Sequence, residues 1–430
     1  MPQAEYTGSD RASHGLLLSG ILAFTLVSRL VYVPRAVMGF DGPEYINALK
    51  LDRTFNVPPP GNIGYVLLGK AFSLAGAEPV LAFALTGTLL SCIAAAYTYL
   101  FASQVLARAA ALTTALAAMA SPMVWYHGVI MQSYIVWMAT LPAIAYYGLR
   151  LVRERTWRMV LASSLATGLS TILRPDLVIF GGPLLGACML SAWARGGWKR
   201  KELAWFAAAG GVCAACCLVW FGITSSLLGG ASNYLEAVRA KNEWHDRFGV
   251  AQMGLFEGLA RNGVKYITFL IWGAGLALPL AALGVLHYAL HARTHARSWL
   301  LAAAWLAPSL YFSWLIFMGN AGLILPALPL VFIAAAAGAS KLCGPRRAPW
   351  VMAALAAVNV ALFAFIPLRT PTDQRDALLN HMFFGYSGPG IRQTYTYQLE
   401  DFGIDRSLGN TIRQFRSPEP LPRIPTSPDN

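Results

Sequence analysis

The run VLAFALTGTLLSCIAAAYTYLFA, residues 80–102, contains 23 residues and no Asp, Glu, Lys or Arg. A helix needs about 20 mostly apolar residues to cross the hydrocarbon core of a bilayer. Ten further runs in the 430-residue chain have this character, and Arg29 is the only Asp, Glu, Lys or Arg within any of them. These further runs are residues 16–33, 109–126, 133–149, 159–173, 177–194, 203–223, 266–290, 299–317, 321–340 and 349–366.

The composition agrees with this pattern. The chain is 56% hydrophobic and 12% charged, and its mean hydropathy is +0.50. Soluble proteins are about 25% charged, so these values exclude a soluble enzyme, and they equally exclude a disordered chain. Backbone groups in lipid must bond within their own segment, which requires helices. The sequence therefore predicts an all-α, polytopic membrane helix bundle with about eleven transmembrane helices.

The loops between the apolar runs differ in charge. Loops that follow even-numbered runs hold 14 Lys or Arg in 39 residues, whereas the others hold 10 in 100 residues. The positive-inside rule places the basic loops in the cytoplasm. We therefore expect a cytoplasmic amino-terminal tail, residues 1–15, an uncleaved first span and a transmembrane domain over 16–366. Two long loops, 34–79 and 224–265, and a partly disordered tail, 367–430, are expected outside.

This topology predicts a multi-pass protein of a bacterial-type inner membrane. The net charge of +13 follows mainly from the cytoplasmic loops, so it does not indicate a nucleic-acid partner. The six cysteines lie in apolar runs or, for Cys343, in a cytoplasmic loop, and no disulfide is expected.

The first long outer loop carries polar residues near a short helix. Asp41 precedes Pro43, a residue favoured in a first helical turn, so a helix is predicted from Gly42 to Lys50. Residues 63–74 form an apolar helical pattern interrupted by Lys70, which suits a helix lying in the membrane interface. A second such helix is predicted over 234–248, in the fourth outer loop. The simpler alternative for Asp41 is a helix cap on a hydrated loop.

Several short motifs follow in order. They are Asp41 with Tyr45, the stretch Pro59-Pro60-Gly61-Asn62-Ile63-Gly64-Tyr65, Ser121-Pro122 followed by Trp125-Tyr126, and Gly168-Leu-Ser-Thr-Ile-Leu-Arg174-Pro175. Over residues 16–190 this pattern resembles the GT-C superfamily of membrane glycosyltransferases, which includes protein O-mannosyltransferases and aminoarabinose transferases. The resemblance implies transfer of a sugar from a polyprenyl-phosphate carrier to a lipid, glycan or protein acceptor at the outer face.

The resemblance also implies roles for individual residues. Asp41 would be the general base that deprotonates the acceptor hydroxyl during one inverting displacement. Glu44 could orient the acceptor or assist a metal ion. Arg174 would neutralise the departing phosphate; its alternative is an interfacial arginine paired with Asp176. Tyr45 and Tyr65 would contact the substrate, although interfacial aromatic residues are common in any membrane protein.

The remaining candidates have two interpretations each. Lys241 and His245 could belong to a lid that binds the donor headgroup, or to a solvated amphipathic helix. Family members often carry a second acid after the third span, whereas residues 127–133 here read His-Gly-Val-Ile-Met-Gln-Ser. His127 and Gln132 could replace that acid as neutral hydrogen-bonding groups, or be interface residues. We therefore predict transfer without a metal or other cofactor.

Two further clusters have simple explanations. His287, His291 and His295 share a helical face with zinc-like spacing, but basic residues surround them at the cytoplasmic side. Cys213, Cys216 and Cys217 lie among small residues, as in packed membrane helices.

Two other functions remain open at this point. A secondary transporter would have broken helices and ionisable residues at mid-membrane, neither of which the apolar runs indicate. A GT-C-like scaffold without activity would explain the missing second acid.

Overall fold

A computed structural model describes residues 8–33, 42–49, 61–197, 199–246, 250, 254–291 and 295–365. Within these ranges the chain forms helices and turns and no strand. Asp41 and the tail from residue 367 lie outside the described residues, so the predictions made for them stay predictions. The side chain of His245 is likewise not described.

The helices of the described ranges are named here in chain order. They are α1 (Gly8–Val31), α2 (Gly42–Ala48), α3 (Ile63–Leu74), α4 (Pro79–Ala102), α5 (Arg108–Ala120), α6 (Pro122–His127), α7 (Ile135–Glu154), α8 (Trp157–Leu173), α9 (Leu177–Gly196), α10 (Arg200–Leu227), α11 (Ala231–Asp246), α12 (Leu255–Ala274), α13 (Ala277–Leu290), α14 (Ala296–Leu310), a π-helix (Tyr311–Ile316), a 3₁₀-helix (Ala321–Ile324), α15 (Leu328–Cys343) and α16 (Ala348–Phe365).

Each of the eleven apolar runs overlaps one or more of these helices. Among the described residues, six helical segments are long and apolar enough to cross a membrane alone, and α12 with α13 forms a bent seventh. The six are α1, α4, α7, α9, α10 and α14 with its π-helical extension. Several other apolar helices, including α5, α15 and α16, are shorter. The all-helical architecture is confirmed, and the count of eleven crossings stays a prediction.

Several apolar runs predicted as continuous spans are broken, and two of the breaks have a clear local cause. The run 109–126 ends as α5 at Ala120 because Ser121 is extended, with φ −52° and ψ 129°, before Pro122 opens α6. A residue that precedes proline is pushed out of the helical region. The run 266–290 bends by 105° between α12 and α13. Gly275 stands at that bend with φ +52°, a conformation that glycine adopts without a steric penalty.

The short helices predicted in the long loops are present. The structure places α2 at Gly42–Ala48 and α3 at Ile63–Leu74, and α11 covers Ala231–Asp246. Trp220 on α10 donates to the carbonyl oxygen of Gly61 at 3.0 Å, which joins α10 to the start of α3. These loop segments are therefore helical, and α3 packs against α4 of the bundle.

The core is a bundle in which α4 and α7 are central. α4 packs against α1, α3, α5 and α7, and α7 also packs against α8 and α9. A second group, α13 with α15, is joined at closely packed glycines: a methyl group on Gly284 would overlap the Ala334 carbonyl, and one on Gly338 would overlap the Leu280 carbonyl. Small residues allow membrane helices to approach this closely.

Candidate active site

Four segments meet at the side chain of Ser133, just before α7. Tyr45 of α2 donates its hydroxyl to Ser133 Oγ at 3.1 Å, and Asn62 Nδ2, at the start of α3, donates to the same oxygen at 2.9 Å. Arg174 Nη1, at the end of α8, donates to it at 2.8 Å. Asn62 Nδ2 also lies 2.7 Å from the Tyr45 hydroxyl. We call these four residues the Ser133 cluster.

The guanidinium of Arg174 is held on several sides. Its Nε donates to both carboxylate oxygens of Asp176 at 3.0 and 2.9 Å. The group also lies over two aromatic rings, 4.0 Å from the Trp137 centroid and 4.7 Å from that of Tyr134. Trp137 Nε1 in turn donates to Asp176 at 3.3 Å. The pairing with Asp176 that the simpler interpretation expected is therefore present, together with a bond to Ser133.

Part of this guanidinium stays available for a ligand. The Arg174 side chain is 12% exposed. Its Nη2 makes no hydrogen bond to any residue in the described part of the chain, whereas Nε and Nη1 are both engaged. A cation whose orientation is fixed and whose Nη2 group is open is suited to bind an anionic oxygen.

Aromatic rings pack against Tyr45 of the Ser133 cluster. Tyr65 stacks on Phe83 with centroids 5.4 Å apart, and Tyr45 lies 5.2 Å from Tyr65. Tyr65 is fully buried, and its hydroxyl has no hydrogen-bond partner among the described residues. Tyr45 is also buried, and the substrate contacts of Tyr45 and Tyr65 stay predictions.

A close backbone contact fixes α3 against the end of α8. A methyl group on Gly64 would lie 2.6 Å from the Ile172 carbonyl oxygen and 2.8 Å from Leu173 Cα. This contact brings Asn62, two residues before Gly64, close to Arg174, which follows Leu173. The sequence Asn62-Ile63-Gly64 is therefore part of the structure that positions Arg174.

His127 and Gln132 border the cluster as buried neutral groups. His127 is fully buried, its ring lies 5.4 Å from that of Tyr134, and neither ring nitrogen has a hydrogen-bond partner among the described residues. Burial lowers the pKa of His127 to about 3, and the positive charge of Arg174 contributes. Gln132 is also buried, with Oε1 unpaired in the described chain. Both groups are neutral at ordinary pH.

The acidic candidates lie on or next to α2. Glu44 is half-buried on this helix, adjacent to Tyr45. Asp41 immediately precedes α2 but lies outside the described residues. Lys70 of α3 donates to the carbonyl oxygen of Leu49 at 2.6 Å, which ties the end of α2 to α3. α2 is therefore held by the bond from Tyr45 to Ser133 and by the bond from Lys70 to Leu49.

The candidate residues of the second long outer loop belong to α11. Lys241 is half-buried on α11, and Arg239 pairs with Glu243 at 3.5 Å with both side chains mostly exposed. An amphipathic surface helix places such a pair toward water. The binding roles of Lys241 and His245 stay predictions.

Several residues of this site were not predicted from the sequence to have a functional role. Asn62, Ser133 and Trp137 are ordinary in type, and only the fold shows that Ser133 bonds to three side chains. The one available signal was position, because Ser133 and Arg174 each lie at the end of an apolar run.

The described residues contain no group of three His, Cys, Asp or Glu side chains close enough to hold a metal ion. Since Asp41 is not among them, transfer without a metal stays a prediction.

The similarity of this chain to known proteins lies in its fold. No protein-family model and no curated protein matches the sequence. Among solved structures, the chain is similar to the crystal structure of ArnT from Cupriavidus metallidurans bound to undecaprenyl phosphate. The TM-score is 0.55 at 16% identity, and the match covers 92% of this chain and 75% of that one. The chain has the GT-C fold. This confirms the fold that the loop motifs implied, for a polytopic helical membrane protein.

Proposed function

We propose that the protein is a membrane glycosyltransferase that takes a sugar from a polyprenyl-phosphate carrier at the outer face of the bacterial inner membrane. The observation that carries this proposal is Arg174: its guanidinium is fixed by Asp176, Trp137 and Ser133 while Nη2 stays open. The similarity in fold to a protein whose structure holds undecaprenyl phosphate supports a phosphate as the anion that this arginine binds.

The proposed reaction is one displacement. The acceptor hydroxyl oxygen attacks the anomeric carbon of the sugar, and the bond from that carbon to the phosphate oxygen breaks. The electron pair of the broken bond stays on the phosphate, and Arg174 stabilises the charge that develops there. The hydroxyl proton passes to the Asp41 carboxylate, and the anomeric configuration inverts.

The proposal gives roles to the other candidate residues. Tyr45 holds α2 against Ser133 at 3.1 Å, and Asp41 directly precedes α2 in the sequence. Glu44 on the same helix would orient the acceptor. His127 and Gln132 would offer neutral hydrogen-bonding groups to the sugar, and Lys241 with His245 would cover the headgroup. We propose transfer without a metal because the sequence lacks an acid in residues 127–133.

One observation favours the rival function. The bend of 105° at Gly275 is a broken apolar segment, which is typical of secondary transporters. An inactive scaffold with the same fold is the other alternative.

A reconstitution experiment separates the three functions. Proteoliposomes with the full-length protein are supplied with a panel of polyprenyl-phosphate pentoses and hexoses, labelled in the sugar, together with membrane lipid, glycan and protein fractions. We expect the label to move to one acceptor fraction with inverted configuration. Gradient-driven uptake of free sugar without transfer would support a transporter, and neither activity would support a scaffold.

A further inference from the structure

A strongly basic surface lies at the end of the bundle away from the Ser133 cluster. The end of α7, the start of α8, the end of α9 and the start of α10 meet there, since α8 packs against α7, α9 and α10. Residues 150–158 and 195–202 of these ends carry eight Lys or Arg and two acids. We call this surface the basic corner. α7 has 20 residues and is about 30 Å long, so the corner is remote from Arg174.

Both acids of the corner are already paired. Arg150 Nε bonds to Glu154 at 2.6 Å, and Arg155 pairs with the buried Glu202. The other cations of the corner are exposed and pair with no carboxylate in the described part of the chain: Arg153, Arg158, Arg195, Lys199, Arg200 and Lys201. The corner therefore has an uncompensated positive charge.

Aromatic rings lie among these cations. Trp157 of α8 and Trp205 of α10 have centroids 6.4 Å apart, and Lys201 Nζ lies 6.0 Å from the Trp205 ring. Trp193 of α9 packs edge-on to Phe206 of α10 at 5.6 Å. Tryptophan side chains favour the level of the lipid headgroups, so the corner combines headgroup-level aromatics with exposed cations.

Apolar surface continues from the corner along the bundle. Trp157 is 42% exposed, and the same face of α8 continues with exposed Leu161, Leu165 and Leu169. On the neighbouring α10, Leu203, Leu218 and Val219 are exposed. A molecule that fits this surface carries negative charge at one end and long apolar chains at the other.

We propose that the basic corner binds the headgroup of an anionic phospholipid, whose acyl chains lie along the exposed faces of α8 and α10. Clusters of four to eight Lys or Arg beside a transmembrane helix attract anionic lipids. The uneven distribution of cations supports a site, because eight of the 14 Lys or Arg in the basic loops belong to this corner. The proposal does not depend on the glycosyltransferase activity.

The test uses the full-length protein in nanodiscs of phosphatidylcholine that contain a minor share of cardiolipin. The corner variant carries Arg158→Gln, Lys199→Gln and Lys201→Gln. The matched control carries Lys341→Gln, Arg346→Gln and Arg347→Gln, three exposed cations near the turn between α15 and α16. Bound lipid is counted by native mass spectrometry after release from the nanodisc.

We expect the native protein and the control each to retain about tenfold more cardiolipin than the corner variant. The melting temperature in pure phosphatidylcholine should be the same for all three, since the substituted side chains are exposed. If the corner variant melts earlier, Arg158→Glu alone replaces it, with the same loss of cardiolipin expected. Equal retention by the corner variant and the control would overturn the proposal, because the attraction would then be a general property of the charged face.

Discussion

At the scale of single residues, the candidate site depends on how one arginine is held. Arg174 lies over Trp137 and Tyr134, bonds Asp176 through Nε, and bonds Ser133 through Nη1. A lysine at position 174 would keep the charge but would lose the planar guanidinium, which stacks on aromatic rings and donates several hydrogen bonds in fixed directions. The identity of the side chain therefore matters beyond its charge.

We predict that Arg174→Lys and Arg174→Gln both weaken the binding of undecaprenyl phosphate, by about 10-fold to 100-fold, since a hydrogen bond to a charged group contributes about 1.5–3 kcal/mol. Microscale thermophoresis in detergent measures the Kd. Arg239→Gln, at a mostly exposed position on α11, is the control and should change the Kd by less than about twofold. An unchanged Kd in both Arg174 variants would place the phosphate elsewhere.

A second residue-scale prediction concerns pH. The pKa of His127 is about 3 in the folded protein, below the ordinary value of about 6.5. Between these values the unfolded chain binds one more proton than the folded chain. The contribution of His127 to the free energy of unfolding should therefore be fully present above pH 6.5. It should fall as the pH drops below that value, by about 1.4 kcal/mol per pH unit.

Thermal unfolding between about pH 5 and pH 8 checks this expectation. In His127→Gln the melting temperature should fall less toward acid than in the native protein. His291→Gln, at an exposed position, should retain the native dependence. Parallel pH curves for the native protein and His127→Gln would show that His127 is not a buried neutral group.

At the scale of elements, the apolar pattern predicted α3 with the observed bounds, Ile63–Leu74. The placement of Asp41 and Pro43 predicted α2 to within two residues at its end. Local sequence is sufficient there because hydrophobic periodicity and proline placement determine short helices. The break at Ser121 was missed because the apolar run continues through it. The Ser133 cluster was missed because its four residues come from separate segments, which only tertiary packing brings together.

The contact of α3 with α8 gives a prediction at this scale. Gly64→Ala would place a methyl group 2.6 Å from the Ile172 carbonyl oxygen, so α3 must move and Asn62 with it. We expect a loss of about 1–3 kcal/mol of stability together with weaker binding of undecaprenyl phosphate. Gly182→Ala is the control, since a methyl group there meets no atom within 4 Å. Equal melting temperatures and equal Kd values for the two variants would contradict the account.

At the scale of the whole molecule, the sequence predicted a helical membrane bundle, and the structure and its similarity to ArnT confirm it. Composition is sufficient for that conclusion because so many apolar residues fit only a bilayer. The orientation depends on 14 Lys or Arg in 39 loop residues. We predict that alkaline phosphatase fused after residue 430 is active, since that end is expected outside, whereas a fluorescent protein fused there should stay dark. The reverse pattern would invert the topology and place Arg174 at the cytoplasmic face.

The most direct test of the central claim is the rate of sugar transfer by Asp41→Asn. Loss of the general base should reduce the single-turnover rate by about 100-fold or more, with the Kd for undecaprenyl phosphate within about twofold of native. Asp52→Asn, a second carboxylate in the same loop, should transfer at the native rate. Transfer by Asp41→Asn at the native rate would contradict the account.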